Sequence, residues 1–165
     1  MKTKNLTTAA LLTAVALIIF VIEAQIPPLT PVPGIKMGLS NVVTVFALFS
    51  LGPFYALVIL LARILLGSMF AGQMTALMYS MAGGLLAYLV SAALRPLFKE
   101  HQVWVVSGIA AVFHNIGQIA AAVWITGTPE IVVYLPSLSI SGIITGVFTG
   151  LCAQQLLLRL KNKGT

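Results

Sequence analysis

Aspartate is absent from this chain of 165 residues, acidic groups number only three (Glu23, Glu100 and Glu130), and there is a single cysteine, Cys152. Each shortage removes a class of chemistry. Isolated glutamates give no carboxylate pair for general acid–base work or for holding magnesium against a diphosphate. One cysteine excludes an internal disulfide framework, and no Cys/His spacing fits a metal site. No Ser-His-acid or Cys-His arrangement offers a nucleophile, and no GxxxxGK[ST] loop could hydrolyse a nucleotide. Nothing in the chain therefore points to an enzyme, a cofactor or a bound metal. Charged residues of both signs make up 7% of the chain, against about a quarter in a soluble domain, while hydrophobic residues make up 59% and the mean hydropathy is +1.07. The solvent for such a surface is a lipid bilayer, and the expected address is the plasma membrane.

What is present is a series of apolar runs. A helix needs roughly 20 apolar residues to cross the hydrocarbon. The runs predict an all-α polytopic fold, one integral membrane domain over residues 1–165, with helices at 6–26, 39–51, 54–70, 75–97, 103–126 and 135–160. The first run lacks a small-residue cleavage site and is followed by five more, so it reads as a retained helix and not a signal peptide. Pro27-Pro28 ends it, and Pro27 to Gly38 is too rich in proline and glycine to continue as helix.

The net charge of +6 does not form a groove for nucleic acid. Lys2, Lys4, Arg95, Lys99, Arg159, Lys161 and Lys163 flank the apolar runs and fall on one side of a six-helix topology. The positive-inside rule then places both termini in the cytoplasm. Trp104 and Trp124 are spaced to reach the two interfaces, being about 30 Å apart on one helix at ~1.5 Å per residue.

Small residues recur at four-residue spacing: Gly142, Gly146 and Gly150; Gly83, Ala87 and Ser91; Ala10 and Ala14. Such ridges let helices approach closely in lipid. They serve either the internal packing of the bundle or the docking of a separate membrane partner, and spacing alone does not decide between these.

Polar groups at membrane depth are expensive and usually face the protein interior. Glu23 lies near the outer end of the first helix, either at headgroup water or against a ligand or cation. Arg63 lies near the middle of the third helix, to be paired with Glu23 or an anionic ligand. Lys36 sits in Pro33-Gly-Ile-Lys-Met-Gly-Leu-Ser-Asn41, where irregular backbone at depth must be buried or line a cavity. Ser40 and Asn41 open the second helix, as plain caps or as part of an anion site at the helix N-terminus. His114 and Gln118 share a face four residues apart, with Asn115 beside them, as helix-to-helix glue or as a cavity lining. Tyr79, Ser80, Gly83 and Gly84, preceded by Gln73, form a weaker candidate region.

Glu23-Ala-Gln-Ile-Pro27, Pro33 to Asn41, Ser80-Met-Ala-Gly-Gly84, His114-Asn-Ile-Gly-Gln118 and Leu135-Pro…Ser141-Gly-Ile-Ile-Thr-Gly146 together resemble the Gx transporter family, often labelled heptaprenyl diphosphate synthase component I. The resemblance covers nearly the whole chain in order. More distantly the chain is similar to the substrate-binding (S) components of energy-coupling factor transporters. That likeness implies six helices and a small nutrient held toward the outer side by Glu23, Lys36, Asn41, Arg63, Ser80, His114, Asn115 and Gln118. It further implies docking through Ala10 and Ala14 onto a transmembrane coupling subunit with ATPases. The cations outnumber Glu23, which favours an anionic or strongly polar group on the ligand. The synthase label conflicts with the absence of aspartate. It leaves a noncatalytic membrane subunit, associated with a prenyl diphosphate synthase or with flavin-linked electron transfer, as the alternative.

Overall fold

The computed structural model describes residues 3–23, 25–26, 36, 38–72 and 74–162. Lys2, Lys163, Gln73 and most of the 27–38 connection lie outside the described residues. The fold is all-helical: α1 (Thr3–Glu23), α2 (Asn41–Ser50), α3 (Pro53–Ala71), α4 (Met74–Leu94), α5 (Val103–Thr126) and α6 (Leu135–Asn162), with 3-10 turns at Glu100–Gln102 and Pro129–Tyr134.

Local chemistry sets these limits. Gly52 has φ of 97°, a left-handed turn that a side chain would resist, and Pro53 follows at the first helical position where its missing N–H costs nothing. α4 stops at Leu94, short of the expected 97, because Pro96 disfavours helical backbone at Arg95. α5 runs over the expected range. Among the described residues five helices are long and apolar enough to cross a membrane. The sixth expected span, α2, has 10 residues, or about 15 Å of rise, and is an interior helix with Val43 to Leu48 all buried.

α5 is the central helix, packed chiefly against α4 and α6. Both seams are lined with glycine. A Cβ on Gly117 would meet the Ala82 carbonyl oxygen at 2.7 Å, one on Gly146 would meet Ala111 Cβ at 2.7 Å, and one on Gly150 would meet Trp104 Cα at 2.6 Å. Gly83, Ala87 and Ser91 are likewise buried. These two ridges therefore close the bundle itself. α1 lies at the periphery against α3 and α2, with Ala9, Ala16, Phe20 and Glu23 turned inward. Ala10 and Ala14 are on its outward face, beside exposed Leu11 and Ile18.

The outer surface is apolar, with Leu89, Ile140, Ile144 and Phe148 all exposed, which suits hydrocarbon and not water. Trp124 is 78% exposed and Trp104 39%, so both indoles can reach lipid near opposite ends of α5.

The glycine seam makes one expectation direct. Gly117→Val should force α4 from α5 and cost about 1–3 kcal/mol, the usual penalty for overpacking. It would be read as a lower melting temperature of the detergent-purified protein, and an unchanged melting temperature would show that the seam is not so close.

Candidate functional site

The sequence puts one acid where a helix tolerates it least. A carboxylate at a helix C-terminus opposes the macrodipole, yet Glu23 ends α1 and is only 4% exposed. Its Oε1 accepts the Gly38 backbone N–H at 2.5 Å. Its Oε2 is buried with no partner among the described residues. Glu23 is thus not at headgroup water; it ties the α1–α2 connection down onto the bundle.

Gly38 makes that tie possible. Its φ is +81°, and a Cβ there would lie 2.9 Å from His114 Cδ2 and 3.0 Å from Asn41 Nδ2. At Gly38 the chain therefore passes His114 as bare backbone. Two residues earlier, the Lys36 N–H donates to Gln118 Oε1 at 3.3 Å, and its Nζ sits 3.5 Å from the centre of the Phe20 ring, a cation–π contact. Lys36 lies outside the spanning helices. Burial lowers its ammonium below the ordinary lysine range, the Glu23 carboxylate opposes that shift, and Arg63 adds to it.

Arg63 of α3 is buried and reaches the start of α2. Nη1 donates to Ser40 Oγ, and Nη2 donates to Asn41 Oδ1 at 3.1 Å. A guanidinium only donates, so it fixes the Asn41 amide with its NH2 toward His114 Nδ1, 3.0 Å away. Nδ1 accepts this bond in the tautomer that carries its proton on Nε2. That atom is buried without a partner among the described residues, as is Arg63 Nε. Asn41 is therefore a single-residue bridge between Arg63 and His114.

Several expectations need correction. Ser40 makes no capping bond from its side chain. The N–H groups of Asn41, Val42 and Val43 already donate to the Gly38, Leu39 and Ser40 carbonyls at 2.9, 3.1 and 3.3 Å, so the start of α2 offers no free donors to an anion. Arg63 makes no ion pair with Glu23 among the described residues. Asn115 is buried but is not brought to the cluster. Successive helix positions diverge by about 100°, and its Nδ2 donates to the Leu138 carbonyl at 2.6 Å, over Gly142 of α6. Ser80 is buried on α4, with no hydrogen bond to the cluster among the described residues.

Glu23, Lys36, Asn41, Arg63, His114 and Gln118 do converge. They surround Lys36 and residues 38–41 and bond to them or to one another, so the expected open chamber is filled by the protein's own backbone among the described residues. Beside Gly38 and Asn41 runs a cavity of about 20 Å³, flanked by Thr44, Ser107 and Thr149. That is room for one water, which takes ~10–15 Å³. Thr44 Oγ1 is buried without a partner among the described residues, and such a water would satisfy it. Phe20 and Thr44 were not marked as site residues by their sequence positions, and Ser40 was marked only at the N-terminus of the second helix. Only Ser40, within the Pro33–Asn41 motif, carried a signal that could have found it.

The comparison with protein families matches residues 12–156 to heptaprenyl diphosphate synthase component I. The chain belongs to that family. No curated protein and no solved structure matches it. In this component I family member the matched stretch takes in every residue of the cluster from Glu23 to Gln118. Ala10 falls outside it.

Proposed function

We propose that this component I family member is a noncatalytic, substrate-binding subunit of a small-molecule importer of the energy-coupling factor type, set in the plasma membrane with both termini cytoplasmic, the short α2 carrying the chain back toward the Arg95 end between α1 and α3. The observation that carries this reading is the Arg63 guanidinium, buried at membrane depth and held only by neutral oxygens among the described residues. A buried charge so placed is costly unless a counter-charge joins it. Together with Glu23 Oε2 and His114 Nε2 it leaves two donors and one acceptor without partners around one removable segment. The ligand has an anionic group for Arg63 Nε and a donor for Glu23, and it binds by displacing the 36–41 segment. The outward-facing Ala10 and Ala14 suit close approach of a coupling subunit that carries ATPases.

The test is mass spectrometry of small molecules retained after gentle detergent extraction. Wild type should keep one polar solute in near-stoichiometric amount, and Arg63→Met with His114→Ala should lose it and abolish uptake in cells. Undiminished uptake by the double variant would remove the site.

The family description favours a second reading, a membrane subunit of a prenyl diphosphate synthase. It predicts co-purification with a soluble aspartate-rich synthase in place of ATPases; capture of a flavoprotein would point to electron transfer instead.

A further inference from the structure

The opposite end of the bundle carries a feature that the importer reading does not use. α2 ends there at Ser50, α4 at Leu94 and α6 at Asn162, and α5 begins there at Val103. Between them opens a cleft of about 560 Å³. Arg95, Lys99 and His101 face it from the α4–α5 turn, and Phe49, Phe98 and Leu158 give it an apolar floor. Lys161 Nζ meets Glu100 Oε2 at 2.9 Å across its rim. That pair is exposed and contributes little stability, but it neutralises Lys161 and holds the end of α6 against the turn. Arg95 and Lys99 are left as the net positive charge.

Arg95 is half-buried, and its side chain has no hydrogen bond or ion pair among the described residues. It also borders a second concavity of about 320 Å³, lined by Leu48, Pro53, Ala92 and Pro96. A basic cleft and an apolar groove thus meet at one guanidinium, at the level where spanning helices leave the hydrocarbon.

We propose that this junction is a binding site for the phosphate head group of a membrane amphiphile, with its chain in the apolar groove. A guanidinium presents paired donors that match phosphate oxygens, and Lys99 adds a second cation. A free phosphate would use the cations alone and leave the groove empty; the juxtaposition favours a molecule with both parts. Lipid electrostatics at such a surface amount to about 1 kcal/mol, or roughly fivefold, per cation.

The experiment is spin-label competition in vesicles, comparing labelled phosphatidylglycerol with labelled phosphatidylcholine in the immobilised fraction around the protein. Wild type should select phosphatidylglycerol. Arg95→Gln should reduce the selection by ~fivefold, and so should Lys99→Gln, an exposed substitution that keeps the test available if the first variant does not fold. Arg159→Gln, on the same end but not lining the cleft, should change it much less. Equal selection by wild type and the double variant Arg95→Gln/Lys99→Gln would overturn the site. An Arg159→Gln effect as large as that of Arg95→Gln would do the same by showing diffuse surface charge. Displacement of the labelled lipid by submillimolar inorganic diphosphate would overturn the amphiphile in favour of a soluble phosphate ester. None of these readouts depends on transport, so their failure and that of the importer reading are distinguishable.

Discussion

Arg63→Met is expected to leave the bundle folded while lowering solute retention roughly 10- to 150-fold, the equivalent of ~1.5–3 kcal/mol for a hydrogen bond to a charged group. The two effects separate a binding role from a structural one. Removal of Arg63 leaves Ser40 Oγ and Asn41 Oδ1 without their donor, at ~1–3 kcal/mol for each buried group left unsatisfied, and offsets this by removing a costly buried charge. Here its partners are neutral and its Nε is unpaired among the described residues. Methionine fills most of the volume without a charge to desolvate, so the melting temperature should hold or rise as binding falls. Arg63→Lys should not rescue retention, since one ammonium cannot span both Ser40 and Asn41 in the geometry of a planar fork. A variant that melts far below wild type while binding normally would assign Arg63 to structure.

Gly38→Ala should have the next largest effect, on the closed arrangement itself. Its φ of +81° costs a side-chain-bearing residue about 1–2 kcal/mol. The new methyl would also press on the His114 ring at 2.9 Å, an overpacking term of roughly 1–3 kcal/mol. Together these should raise the population with the 36–41 segment withdrawn by about 30- to 5000-fold. Hydrogen exchange at the Gly38 and Asn41 amides would report it, because the Gly38 N–H is tied to Glu23 in the closed form. Glu23→Gln should speed the same amides through loss of the charge-assisted bond. Exchange rates unchanged in both variants would mean that the segment is not held by this contact.

How much of this was legible in the sequence depended on the range of each interaction. α5 could be bounded in advance because its apolar run is long and ends at Gly127. His114 and Gln118 were visible as a pair because four-residue spacing is a local property of a helix. Asn115 went to α6 because one step along a helix turns a side chain away, and which neighbour receives it is a tertiary fact. The start of α2 misled for a related reason. Ser40 and Asn41 look like local caps, but the Arg63 guanidinium, 23 residues from Ser40, takes the serine oxygen. The shortness of α2 was visible in its length and was still counted as a span. Composition shows only that a segment avoids water, not whether lipid or protein surrounds it.

That brief helix has a mechanical consequence. Asn41, at its first turn, touches Arg63 and His114, while Phe49, near its last, forms part of the floor around Arg95. A helix of ten residues, buried from Val43 to Leu48, joins that cluster to the cleft. A movement that drew Asn41 outward would carry Phe49 with it, so this helix gives the two ends a mechanical link without making either depend on what the other holds.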